Sequence, residues 1–209
     1  MSAQAKGLTL RPATREDASE IADLLNLISR DLNTTLETAA EVTQWFDLPR
    51  LQDVPEAELP VGATLRTFVP GDETAVYEAH MESFADHWGF TPEPYEEWAT
   101  ANLKRDDFDA SLWLLAEADA ALAGIVLCRL VADARGPIGW VSILGVRPRW
   151  RRIGLGSTLL RAAFRELHAR GRGRIGLGVD GQNTTNAVAL YERAGMRVVR
   201  RMNEYERVL

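Results

Sequence analysis

Val146-Arg147-Pro148-Arg149-Trp150-Arg151-Arg152-Ile153-Gly154-Leu155-Gly156-Ser157 joins an apolar run to an amphipathic segment. The run before it, Trp140 to Val146, is apolar and β-prone, whereas Leu159, Leu160, Ala163, Phe164 and Leu167 recur with helical spacing. A strand therefore enters the turn and a helix leaves it. Gly154 and Gly156 let the backbone approach a ligand closely, and the first N–H groups of the helix have no partner within it. Such a terminus favours a phosphate or a pyrophosphate. Arg147, Arg149, Arg151 and Arg152 crowd the same spot with guanidinium charge suited to bidentate phosphate contacts.

Outward from this turn the pattern is mixed. A strand near Leu65 leads to a helix over about Asp72 to Phe84, a loop through Trp88-Gly89-Phe90-Thr91-Pro92, and a helix around Tyr95 to Leu103. Strands at Leu112 to Glu117 and Leu122 to Val131 flank a turn at Asp119-Ala120, and Ile138 to Val146 comes after Gly136-Pro137. The helix after the glycine turn ends near Arg170-Gly171, then come a short strand, Arg174 to Val179, and a helix from about Thr185 to Arg193 stopped by Gly195. The last stretch, Met196 to Arg201 and Glu204 to Val208, reads as a β-hairpin. This order predicts an α+β sandwich with a mixed sheet.

The N-terminal part carries an echo of the segment that begins near Ala63. Thr9, Leu10, Arg11, Asp17 and Asp31 fall opposite Thr64, Leu65, Arg66, Asp72 and Asp86 at one constant offset. The shared unit is a strand, a turn with an acidic helix cap, and a helix, which reads as a partial tandem duplication. The first copy continues into a predicted helix, Leu36 to Phe46, and stops at the proline-rich stretch Pro49 to Pro60. The expected organisation is a partial repeat of one strand and two helices over 1–53, a linker over 54–62, and a complete domain over 63–209. Beyond that one strand, nothing in 1–62 supplies the strands that would complete a sheet, so this portion is expected to pack against the second unit or another chain, as in a homodimer.

The 209 residues suffice for a full core, and no apolar stretch is long enough to cross a membrane. The start, Met1 to Lys6, lacks the apolar segment of a signal peptide, so a cytoplasmic location without a membrane partner is the expectation. A net charge of −6 argues against nucleic acid as principal partner. Cys128 is the one cysteine, placed in an apolar run, and reads as a small core hydrophobe. His80, His87 and His168 show no metal-ligand spacing, so no metal is expected. Gly171-Arg172-Gly173-Arg174-Ile175-Gly176 has the letters of a dinucleotide fingerprint but follows a helix and enters a strand, the reverse of what that site requires.

Residues 63–209 resemble the GNAT superfamily of acetyl-CoA-dependent N-acetyltransferases on two motifs. Arg151, Gly154 and Gly156 match the family's pyrophosphate turn. Asn183, followed by Ala187-Val188-Ala189-Leu190-Tyr191-Glu192-Arg193-Ala194-Gly195-Met196, matches its asparagine, helix, tyrosine and glycine-plus-apolar ending. The tandem layout is similar to the two-domain, mycothiol synthase-like branch, with the first fold incomplete. That branch carries a glutamate on the strand before the turn, roughly where Trp140 stands here.

The resemblance implies the acyl-CoA N-acyltransferase fold, a mixed and mostly antiparallel sheet flanked by helices, with acetyl-CoA as cosubstrate and a small-molecule amine or a protein N-terminus as acceptor. It further implies that backbone groups of Leu144 and Val146 hold the pantetheine arm, while N–H groups of Arg152, Ile153, Gly154, Leu155, Gly156 and Ser157 take the pyrophosphate beside Arg151. Tyr191, whose phenol has an ordinary pKa of about 10, is the candidate acid for the departing thiolate, or else a core aromatic. Asn183 either bonds the pantetheine amide or caps its helix. The strand Ile138 to Val146 offers no ionisable side chain as base. Glu82, Asp86, His87 or a water relay are the candidates, with Trp88, Phe90 and Trp98 as apolar company for the acceptor. The competing reading is a non-catalytic acyl-CoA-binding or partner-binding module with a degenerate acceptor site.

Overall fold

A computed structural model describes residues 36–47, 56, 58–87, 90–133, 136–180 and 187–207, the backbone alone for 36–47, 180 and 199–207. The chain divides into two compact units, the larger being Ala39–Asn203 and the smaller Met1–Thr38 with Glu204–Leu209. Strands β1 (Leu36–Asp47), β2 (Ala63–Thr67), β3 (Trp113–Ala118), β4 (Ala121–Asp133), β5 (Gly136–Val146), β6 (Arg174–Asp180) and β7 (Arg197–Arg207) form one sheet in the order β2-β3-β4-β5-β6-β1-β7. Helices α1 (Glu73–Phe84), α2 (Tyr95–Asn102), α3 (Leu155–Ala169) and α4 (Ala187–Arg193) complete the larger unit.

The expected mixed sheet is present, antiparallel through β2, β3, β4 and β5 and parallel between β5 and β6. The β3–β4 hairpin closes on Asp119 and Ala120, both at positive φ, as a two-residue turn of matching twist requires. On one face, α3 buries Leu155, Leu159, Leu160, Ala163, Phe164 and Leu167, the stripe its spacing predicts, against Val126, Cys128 and Val141. Gly139 makes that approach close, since a Cβ there would stand 2.8 Å from Leu167 Cδ1. On the other face, Val76 and Ala79 of α1 and Trp98 of α2 pack on Trp113, Leu115, Ile125 and Leu127. Trp98 Nε1 donates to His80 Nδ1 at 2.9 Å, and burial pushes that imidazole down to about 4, so it is neutral.

Two expectations fail, for related reasons. Leu36–Asp47 is a strand, not a helix: Glu41–Asp47 pairs antiparallel with Asp180–Arg174 of β6. Thr38, Val42, Thr43, Trp45 and Phe46 are β-prone, and an open sheet edge outweighs the weak helical preference of the remaining residues. This stretch of the N-terminal part therefore supplies a strand where none was expected. The C-terminal hairpin is likewise absent, because Arg197–Arg207 runs on as one strand beside β1. No glycine or proline interrupts it, and β1 occupies the place a returning strand would need. The expected strand and first helix of 1–35 lie outside the described residues. No helix among the described residues is long and apolar enough to cross a membrane.

Candidate active site

The site begins with a failure of pairing. β5 and β6 are bonded only from Gly139 to Val141, opposite Ile175 to Leu177. A bulge in the β4–β5 register sits at the same level, where Leu127 pairs with Ile143 and Cys128 with Val141, leaving Ser142 extra. Beyond it β5 runs on to Val146 and β6 to Asp180 without further mutual pairing among the described residues. The resulting cleft opens into a cavity of about 770 Å³, within the range of small-ligand sites.

At its mouth stands the glycine turn. Arg152 at φ 68° and Gly154 at φ 93° are both left-handed, and Thr158 N–H donates to Gly154 O at 3.1 Å. The N–H groups of Leu155, Gly156 and Ser157 therefore precede the first helical bond of α3 and are left for an outside acceptor. Left-handed geometry at a residue other than glycine costs free energy and is kept where a ligand clamp needs it. Gly156 plays a different part, since a Cβ there would meet Val146 Cγ2 at 3.6 Å and Leu190 Cδ2 at 3.7 Å, ordinary contact distances.

Of the residues singled out by sequence, the cavity wall unites Leu144, Val146, Arg151, Arg152, Gly154, Leu155, Gly156, Ser157 and Tyr191. Ile153 does not line it and is exposed on the outside of the turn. Asn183 and Trp88 lie outside the described residues. Trp98 is fully buried in the core beneath α2, and Trp140 stands opposite Arg129 of β4 rather than in the cavity wall. Cys128 is buried in the core under α3, and burial raises its thiol, as suits a small hydrophobe.

The arginines are used differently from the sequence expectation. Arg151 donates through Nε to Val146 O at 3.0 Å, through Nη1 and Nη2 to the Asp86 carboxylate at 2.5 and 3.1 Å, and through Nη2 to Ser83 O at 2.9 Å. Arg147 Nε donates to Glu82 Oε2 at 2.5 Å and Nη1 to Leu122 O at 3.2 Å. Arg149 pairs with Asp119 and lies over the Trp150 ring. Three of the four guanidinium groups thus hold protein together, while Arg152 is exposed at the cavity with no ion-pair partner among the described residues.

The candidate bases sort by the same contacts. Glu82 is paired with Arg147 outside the cavity wall, and the hydrogen bond from Arg151 lowers the Asp86 carboxyl, which makes Asp86 a poor proton acceptor. His87 and Phe90 line the cavity next to Phe84. Tyr191, 7% exposed, also lines it, and burial pushes its phenol up to about 12. Sequence reasoning missed Ser83 and Phe84 at the end of α1, Leu177–Val179 of β6, and Ala187, Leu190 and Arg193 of α4. Gly176 and Gly178 inside a strand were the available signal, as glycine there often marks close approach of a ligand.

Residues 74–196 match the family model described as the Acetyltransferase (GNAT) family. The chain is 40% identical over 155 residues to a mycothiol acetyltransferase of Thermobispora bispora, covering 70% of this chain and 50% of that protein. It is 41% identical over 155 residues to a mycothiol acetyltransferase of Salinispora arenicola, covering 70% and 48%. Among solved structures it resembles a GCN5-related N-acetyltransferase from Sphaerobacter thermophilus, with a TM-score of 0.70 and 32% identity over 89% of this chain and 56% of that one. The chain spans about half the length of the mycothiol acetyltransferases it matches.

Proposed function

The chain belongs to the GNAT family of acetyltransferases, and we propose that it transfers an acetyl group from acetyl-CoA to the primary amine of a small molecule, by direct attack within a ternary complex. The observation that carries this reading is the left-handed turn at Gly154, whose free amides stand at the open end of the β5–β6 cleft. In this reading the turn takes the diphosphate and the cleft takes the pantetheine arm. Bound acetyl-CoA supplies an activated thioester carbonyl; the residues of the chain do the rest.

In this reading the amides of Arg152 to Ser157 and the exposed Arg152 side chain hold the diphosphate. Leu144 and Val146 offer backbone groups to the pantetheine arm, although the Val146 carbonyl already accepts from Arg151. His87, directly or through water, takes the proton of the attacking amine, because of the three candidate bases it alone lines the cavity. Tyr191 keeps its proton at neutral pH and gives it to the leaving sulfur. Burial pushes the phenol up to about 12, so the proton moves only as the C–S bond breaks and charge gathers on the sulfur.

The names of the relatives suggest an amine in mycothiol formation as the acceptor class. The resemblance places a glutamate of that branch roughly where Trp140 stands, so the mycothiol-type acceptor is the part of this reading that the amine panel decides. We also read residues 1–53 as the remains of a first repeat. The bidentate Arg66–Asp72 pair, echoed in sequence as Arg11 and Asp17, supports a shared local unit. Mixing the protein with acetyl-CoA and a panel of amines, with free thiol as readout, tests the activity. Coenzyme A release that depends on one amine class is the expected result, and none with any amine would refute it.

A further inference from the structure

We propose that the Arg151–Asp86 pair is a positioning clamp that couples the glycine turn to the opposite wall of the cavity, so that filling either side strengthens binding at the other. This rests on the reading of the cavity as a donor and acceptor site. Arg151 is the first residue of the glycine motif, yet its guanidinium faces α1 and the segment after it, where it contacts Asp86 and Ser83 O. The same side chain holds Val146 O at the end of β5. One planar group therefore joins the strand entering the turn to the segment that carries Ser83, Phe84 and His87 into the cavity.

Charge explains why the clamp is needed. The last turn of α1 contains Glu82 and no basic residue, and Asp86 stands just beyond it. Carboxylates at a helix C-terminus are disfavoured by the helix dipole. Arg147 and Arg151, four residues apart, meet Glu82 and Asp86, also four residues apart, and supply the missing positive charge. Of these four side chains only Arg151 lines the cavity, and Asp86 stands beside His87, which lines it too. On this proposal what the turn binds is felt at the wall through Arg151, and for equilibrium binding such coupling acts equally in both directions.

The test is Asp86→Asn, which leaves every amide of the turn in place. Coenzyme A affinity is measured by calorimetry, and kcat and KM for the best amine by thiol release. We expect about fivefold weaker coenzyme A binding and a raised amine KM. The melting temperature should stay close to wild type, because Asp86 is half exposed and such pairs add little stability. Adding Arg151→Ala to Asp86→Asn should cost less than the two effects summed. Asp107→Asn, which breaks a surface pair with Arg105 outside the cavity, should change neither constant. Wild-type constants in Asp86→Asn, or strictly additive effects in the double variant, would overturn the coupling alone. Absence of coenzyme A binding by the wild type would overturn the donor-site reading and the clamp with it.

Discussion

At the scale of single residues, protonation decides two outcomes. Tyr191 is buried and holds its proton far above neutral pH, so it enters the reaction protonated and is open to the role of acid, not of base. We expect Tyr191→Phe to lower kcat by about 10²-fold or more while the dissociation constant for acetyl-CoA stays nearly fixed. Unchanged turnover would return Tyr191 to the role of a core aromatic. Asp72 acts on stability instead. Two hydrogen bonds from Arg66, at 2.6 and 2.9 Å, hold its carboxyl below the ordinary range, and Val69 N–H adds a third at 2.8 Å. The folded form binds the proton less tightly than the unfolded chain, so this stabilisation is full above the ordinary carboxylate value of about 3.9 and is lost as pH falls through the depressed one. Urea midpoints recorded from pH 5 downward should fall more steeply for wild type than for Asp72→Asn. Parallel curves would remove Asp72 as a cause.

At the scale of elements, the two glycines of the turn separate by conformation. Gly154 has open space around a notional Cβ but sits at φ 93°, so Gly154→Ala strains the backbone by about 1–2 kcal/mol and disturbs the amides beside it. Gly156 lies in α3 at an ordinary helical φ, and alanine there gains about 0.5–1 kcal/mol of helix preference. Thermal melts should therefore move in opposite directions for the two variants. A matching fall in both would mean that the turn tolerates no Cβ at either place. This motif was legible from sequence because glycine freedom and helical spacing are local properties of the residues that carry them. The acidic cap expected at Asp72 was only half legible: the residue does precede α1, but its carboxylate serves Arg66 and Val69 rather than the helix amides.

At the scale of the whole molecule, the sheet depends on β1, which lies between β6 and β7. A chain beginning at residue 48 would keep both family motifs and lose that strand, exposing the edges of β6 and β7. We expect it to melt well below the full chain and to aggregate; a loss of about 3 kcal/mol corresponds to roughly 6–12 °C. An identical melting curve would show that β1 is dispensable. The linear order of residues was enough to specify the strand, glycine turn and helix, the α3 stripe and the succession of elements from Ala63 to Gly195, since each is written in the periodicity and turn chemistry of neighbouring residues. Folding in three dimensions was needed to make Leu36–Asp47 a strand, to part β5 from β6 after Val141, and to bring Arg147 and Arg151 onto carboxylates of α1 and the segment after it. A sheet edge or a guanidinium is satisfied by whatever partner the fold brings near, and that partner leaves no mark on the residues beside it in the chain.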